Sequence, residues 1–239
     1  MKKVFVILKW LIAILLLVFV LAFTEATQKI QLVKLNKITI ERSGDNFVNE
    51  HIILEYLNEN DISFDSVLLI DFKKERLEFM LKKHPAIKDV EVFVNQKGFL
   101  DIQIVQKQAI VRIKTKNDDY YLDEFGEKMD ISKHYTSRLI VVTGNVSTDN
   151  HNDIVDFVNL VSASNFWSSQ LTQIHIQDNN IILIPRVGDH KIHLGSFIDS
   201  KTKLENLYLF YNNALRVKGW QTYSDISLKF NNQIVCTKK

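Results

Sequence analysis

Leu81-Lys-Lys-His-Pro85-Ala-Ile87-Lys-Asp-Val90-Glu-Val92-Phe-Val94, continued by Asn95-Gln-Lys-Gly98 and by Leu100-Asp-Ile102-Gln-Ile104, is the stretch on which the fold turns. Its apolar residues change period at Pro85. Leu77, Met80 and Leu81 recur at helical spacing, whereas every second residue from Val90 is apolar. Proline lacks an amide hydrogen and stops the helix. Val90, Val92 and Val94 predict one strand, and Leu100, Ile102 and Ile104 a second. Asn95 to Gly98 predicts the hairpin turn between them, with Gly98 suited to positive φ.

Upstream, the helix is predicted to begin near Asp71, an N-cap residue type, and to expose Lys73, Lys74, Lys82 and Lys83. An earlier helical stripe runs through Ile52, Ile53, Tyr56 and Leu57, with Glu50, Glu55, Asn58 and Glu59 on the wet side. A loop through Ser63 to Asp65 separates the two helices. Ile38-Thr39-Ile40 predicts a first strand, ended by Ser43-Gly44-Asp45-Asn46. Strand, helix, helix, strand, strand implies two helices on one face of a three-stranded sheet, an α+β unit with its own core.

Ahead of this unit, Met1-Lys2-Lys3 leads into an apolar run from Val4 to Phe23 interrupted by Lys9. As a helix the run spans about 30 Å, the thickness of a hydrocarbon core. Lys2, Lys3 and Lys9 place the amino terminus in the cytoplasm by the positive-inside bias. Lys9 can snorkel to that face, and Trp10 can sit near the headgroups. A second reading stays open. Leu11 to Phe23 also suits the core of a secretory signal, and Thr24-Glu25-Ala26 offers a small-x-small cleavage site. Both readings export the rest of the chain.

After Ala109 strands dominate. Ile110 to Ile113 is expected to pair with Tyr120 to Leu122 across Asn117-Asp118-Asp119, and Asp123-Glu124-Phe125-Gly126 turns again. Leu139 to Thr143 is a buried-looking run closed by Gly144. A helix is expected from His151 to Ser164, then strands at Ile174 to Ile176, Ile181 to Ile184 and Lys191 to Leu194, with turns at Asp178-Asn179 and Gly188-Asp189. A second helix, Ser200 to Val217, carries the stripe Leu204, Leu207, Tyr208, Tyr211 and Leu215 and ends at Gly219. Strands at Ser224 to Phe230 and Gln233 to Thr237 flank an Asn231-Asn232 turn.

Composition narrows the chemistry. A formal charge of +2, with bases scattered among acids, gives no nucleic-acid footprint. One cysteine, Cys236, excludes an intramolecular disulfide and reads as a small apolar residue on the last strand. Phosphate-binding glycine loops, nucleophile elbows and HExxH motifs are missing from the sequence. His190 and His193, three apart on a strand, face opposite ways and read as solvated residues, not ligands. Asp123 and Glu124 suit a tight turn better than a catalytic pair. No catalytic, metal or cofactor-binding residue is assigned, and no cofactor is expected.

In this order the features resemble the FtsQ/DivIB family of bacterial cell-division proteins, with the first exported unit similar to a POTRA domain. The carriers are Leu81 to Val92; Leu100 to Ala109, the exit strand; Tyr121-Leu-Asp-Glu-Phe-Gly126, matching a Leu-x-Asp-x-x-Gly turn; Leu139 to Gly144; and Ile226-Ser-Leu-Lys-Phe230. The sequence departs from the family at Gln106-Lys107-Gln108-Ala109, where Glu-Arg-x-Pro is usual. The strand into Gly144 lacks a proline, and Lys229-Phe230 stands in place of Arg-Tyr. Other POTRA carriers continue into a membrane barrel, for which the segment after Ala109 is too short.

The resemblance implies a cytoplasmic tail at 1–3, a transmembrane helix at 4–24, a linker at 25–36, a POTRA-like domain at 37–107 and a β-rich C-terminal domain at 108–239. It further implies a non-enzymatic scaffold of the divisome, single-pass in the cell membrane at the division site. FtsB/DivIC- and FtsL-type proteins would add a strand at Lys229, Phe230, Asn231, Asn232, Gln233, Ile234 and Val235, and further division proteins would dock on the POTRA-like domain. Within that stretch Phe230 would be the apolar anchor and Lys229 the contact for an acid. Two readings from the residues remain beside it: an ordinary edge hairpin blunted by Lys238 and Lys239, and an exported enzyme or ligand binder.

Overall fold

The computed structural model describes residues 2–29, 31–41, 46–64, 67–132, 135–178, 180–231 and 233–239; within the first helix, side chains are described from 8 to 23. Ser43, Gly44, Asp45, Asp65, Asn179 and Asn232, expected in turns or loops, lie outside the described residues. The fold is mixed α and β, with a β-rich carboxyl-terminal part. Contacts divide it into two compact units, Met1–Gln106 and Lys107–Lys239.

The first unit begins with α1, Lys2–Lys29. Its described side chains, residues 8–23, are all exposed. Among the described residues no helix is long and apolar enough to cross a membrane. Then come β1 (Lys34–Glu41), α2 (Glu50–Glu59), α3 (Lys74–Leu81), β2 (Ile87–Val94) and β3 (Phe99–Gln106). The sheet order is β1-β3-β2, with β1 parallel and β2 antiparallel to β3. Asn49 starts α2 by accepting the Ile52 N–H at 2.9 Å. Alternate residues Val90, Val92, Leu100, Ile102 and Ile104 are buried with Ile53, Leu57, Leu77 and Leu81. Each such side chain contributes roughly 2 kcal/mol of burial.

Helix α3 starts at Lys74, not at Asp71 as the N-cap signal suggested, and no side chain caps it. The connector explains the delay. Leu68 bridges Leu32, the Leu69 N–H donates to the Gln31 carbonyl at 2.7 Å, and the Asp71 N–H closes a turn onto the Leu68 carbonyl at 3.0 Å. Residues 68–71 are therefore committed elsewhere. Gly98 sits at φ +81° in the hairpin turn, and a β-carbon there would collide with the Leu32 carbonyl oxygen.

Among the described residues the second unit is a nine-stranded sheet with helices in its crossovers. Its strands are β4 (Ala109–Lys114), β5 (Asp119–Asp123), β6 (Lys128–Asp130), β7 (Val141–Gly144), β8 (Leu171–Gln177), β9 (Asn180–Pro185), β10 (Lys191–Gly195), β11 (Tyr223–Phe230) and β12 (Gln233–Lys238). The α-helices are α4 (His151–Ser162), α5 (Asn165–Gln170) and α6 (Ser200–Phe210). The helix expected from Ser200 to Val217 is not a single α-helix, because α6 passes into a π-helix at Tyr211–Leu215 and ends in a short α-turn at Arg216–Lys218. The order across the sheet is β12-β11-β10-β9-β8-β7-β4-β5-β6. Parallel neighbours need a crossover, and the helices supply it: α4 and α5 join β7 to β8, and α6 joins β10 to β11. The helical stripes Ile154, Val158, Val161 and Leu204, Leu207, Tyr211, Leu215 share one core with Val142, Ile174, Leu183, Ile192 and Ile226. Tyr208 stays largely exposed, although its ring meets Phe166 edge-on with centroids 4.9 Å apart.

Two residue-level expectations meet the structure differently. Asp123 is a turn device, as its context suggested. One carboxylate oxygen accepts the Phe125 and Glu127 N–H groups at 3.0 and 2.9 Å, and the other meets Lys107 Nζ at 3.0 Å. Burial opposes the Lys107 charge, but bonds to Glu127 and Asp123 outweigh it and raise its pKa. His190, in contrast, is not solvated. It is 2 % exposed and bonds through Nε2 to the Tyr211 hydroxyl at 2.7 Å. It just precedes β10 and faces inward, whereas His193 bonds Asp225 at 2.7 Å.

Candidate functional site

The closing hairpin stands at one margin of the nine-stranded sheet. Among the described residues β12 pairs antiparallel with β11 and with no other strand, which leaves the backbone groups of its outer row without a strand partner. Ile226 lies opposite Cys236 and Ser227 opposite Val235, and the register shifts between Ser227 and Phe230. Alternation directs Ile226, Leu228, Ile234 and Cys236 toward the core. Burial raises the pKa of the Cys236 thiol, only partly offset by Lys218, which suits a packing residue and not a nucleophile.

Past Leu228 the core ends and the strand continues. Phe230 is 56 % exposed, and Val235 is 46 % exposed. Phe230, Asn231, Gln233 and Ile234 line a groove of about 330 Å³ together with Leu228 and with Asp199, Thr202, Lys203 and Asn206 of α6 and its approach. Lys203 Nζ donates to the Ser196 carbonyl at 3.0 Å. Burial lowers the Lys203 pKa, and Asp199 acts to raise it. A carboxylate brought into the groove would relieve that desolvation.

The seven residues named from the sequence are thus divided. Phe230, Asn231, Gln233 and Ile234 come together at the groove. Lys229 and Val235 do not line it. The Lys229 side chain lies over Gly195 of β10, where a β-carbon on that glycine would stand 3.2 Å from Lys229 Cγ. Of the cation and the aromatic ring named from the sequence, the ring lines the groove. Within the groove the cation is Lys203, which the sequence reading missed. Asp199, Thr202, Lys203 and Asn206 recur at helical spacing opposite the apolar stripe, and that was a usable signal. Which strand they face depends on the parallel placement of β11 beside β10, which spacing does not reveal.

Elsewhere the arrangement offers little chemistry. Among the described residues no group of three or more His, Cys, Asp or Glu side chains is placed to hold a metal ion. What the hairpin can do is bind: it presents backbone donors and acceptors, an apolar ring and a groove beside them.

Comparison with known proteins bears on the family of the chain. The family model described as FtsQ/DivIB, C-terminal related, matches residues 108–237, more than half of the chain. A solved structure of the major extracytoplasmic domain of the trans isomer of the bacterial cell-division protein DivIB from Geobacillus stearothermophilus is similar at 14 % identity. The match covers 46 % of this chain and 95 % of that one, with a TM-score of 0.34. No curated protein matches the chain. On the strength of the family match, the chain belongs to the FtsQ/DivIB family of cell-division proteins.

Proposed function

We propose that this protein is a non-enzymatic, bitopic membrane scaffold of the divisome, which links early division components to the machinery of septal peptidoglycan synthesis. The free margin of β12 beside the groove carries the reading. A partner of the FtsB/DivIC or FtsL type would add a strand along Gln233 to Val235, gaining backbone hydrogen bonds for affinity. It would seat an apolar side chain against Phe230 for selectivity. An acidic residue on the same partner would meet Lys203. The order β1-α2-α3-β2-β3 supports a POTRA-like domain that docks further division proteins, with domain limits of 37–107 and 108–239.

Helix α1 would be the anchor. The described side chains cover sixteen residues, 8–23, fewer than the roughly 20 a span requires. Adding Val4 to Ile7 from the sequence brings the apolar run to twenty. The exposed side chains of 8–23 have the character of a lipid-facing surface. An anchor also raises the effective concentration of the scaffold for other membrane-bound partners.

Phe230→Asp tests the site. Phe230 is exposed, so the fold should survive with an unchanged unfolding midpoint. Binding to FtsB/DivIC-type partners should weaken about 30-fold, as for the loss of a central anchor. Undiminished capture by the folded variant would remove this hairpin from consideration.

A further inference from the structure

We infer that the end of the first unit nearest α1 is a second contact surface, one that lies on the anionic headgroups of the membrane. The inference rests on the proposed anchoring of α1. Three segments are tied together at this end. The Val33 N–H donates to the Val67 carbonyl and the Leu69 N–H to the Gln31 carbonyl, while the Lys34 N–H donates to the Gly98 carbonyl at 2.8 Å. The connector that leaves α1 therefore gathers the 67–70 loop and the tip of the β2–β3 hairpin around itself.

Large apolar side chains cluster on this end, and they point outward. Lys34 is the register partner of Phe99, so the two share the helix-free face of the sheet. Phe93 pairs with Asp101, two residues beyond Phe99, and is its diagonal neighbour on that face. Leu32 precedes buried Val33 and is exposed with Lys34 by alternation. Ile70 follows the Leu32–Leu68 bridge by two residues and is 58 % exposed. Scattered exposed apolar residues are ordinary. A cluster rimmed by Lys34 and Lys97 is not. Of the nearby carboxylates, Asp101 accepts from the Asn36 amide at 2.7 Å and keeps its charge, Glu91 lies two residues before Phe93 on the same face, and Asp71 stands beside Ile70.

The occupant follows from charge and distance. Helix α1 continues six residues past Phe23 to Lys29, a rise of about 9 Å, comparable to a headgroup layer. From Lys29 to Leu32 the chain can reach only about 10 Å more. The cluster is thus held where headgroups meet water. Exposed aromatic and aliphatic groups bordered by lysines are the composition that binds an anionic interface.

The test uses the full chain in bilayer discs of phosphatidylcholine alone and of phosphatidylcholine with phosphatidylglycerol, followed by amide hydrogen exchange. Amides of 67–70 and 95–99 should exchange up to about 25-fold more slowly in the anionic discs, because each of the two lysines near the surface adds about fivefold to the attraction. The exposed double variant Lys34→Glu, Lys97→Glu should abolish the difference while α2 keeps its protection. Equal exchange in the two lipids, indifference to the double variant, or slowing that requires a protein partner would each overturn the inference. With α1 protected in both discs, such a result sinks this surface alone. Free exchange along α1 would remove the anchor and this surface with it.

Discussion

At the residue scale, His190 and His151 are the least expected side chains. Both are buried, and both bond a tyrosine hydroxyl, His190 to Tyr211 at 2.7 Å and His151 to Tyr120 at 2.9 Å. Burial lowers the pKa of each. At His190, Lys239 adds to the lowering while the Trp220 backbone and Asp189 oppose it; at His151, the Gly126 backbone opposes it and Lys128 adds. The folded values thus fall below the ordinary 6.5, so the unfolded chain takes up protons first as pH falls. Stability is full above 6.5 and declines as pH drops from there through the folded values. Asp119, held low first by Arg112, and Asp225, held low first by His193, lose their contributions only below 3.8, in a separate window. The second unit should therefore melt at constant temperature from about pH 8 to 7 and at falling temperature toward about pH 5. In His190→Gln that slope should be shallower. Thermal melts across this range decide it, and an unchanged slope in the variant would acquit His190. None of this was legible in the sequence, because a histidine beside Asp189 reads as a surface residue until Tyr211 is seen over it.

At the element scale, two margins of sheet are treated in opposite ways. β2 is one of the two outer strands of the small sheet, and side chains occupy two of its amide donors. The Val92 N–H donates to Glu78 Oε1 at 2.9 Å and the Val90 N–H to Asp89 Oδ1 at 2.9 Å. Lys82 bonds the same Asp89 oxygen at 2.6 Å and is the chief cause of its lowered pKa. On β12, among the described residues, a side-chain bond to the strand body is that of the Ser224 hydroxyl to the Thr237 carbonyl at 3.4 Å, and none accepts from a β12 N–H. Glu78→Ala should cost about 1 kcal/mol and promote self-association through β2, whereas Glu78→Gln keeps an acceptor and should not. Sedimentation at rising concentration reads the outcome. Alternation in Val90 to Ile104 made the strands and their faces legible, and Pro85 and Gly98 marked the ends. Neighbours were not legible. A period of two says which residues share a face, but not that β4 lies beside β7 or that β10 runs parallel to β11. The short α5 was missed because its signal is one Ser164 cap, which accepts the Trp167 N–H at 3.3 Å. β6, at three residues, is too brief for any periodicity.

At the scale of the whole molecule, the proposed role of α1 as an anchor can be told apart from that of a cleaved signal. The anchor reading predicts an intact mass of 27.9 kDa and retention in membranes through an alkaline wash. A mature form beginning at Thr27 would mean that the segment is a signal and is removed. Intact-mass measurement on protein from native membranes separates the two. If the anchor is retained and a partner strand is held on β12, constriction of the envelope would put the molecule under tension. The chain enters the large sheet by β4, which has neighbours on both sides, and leaves it by β12, which has one. Load on β4 must break hydrogen bonds to two neighbouring strands, while load on β12 must break those to β11 alone, together with the contacts of Lys239 to Asp189 and Gln221. The hairpin would yield first under pull and leave the rest of the sheet intact, like a seam placed to open before the cloth tears.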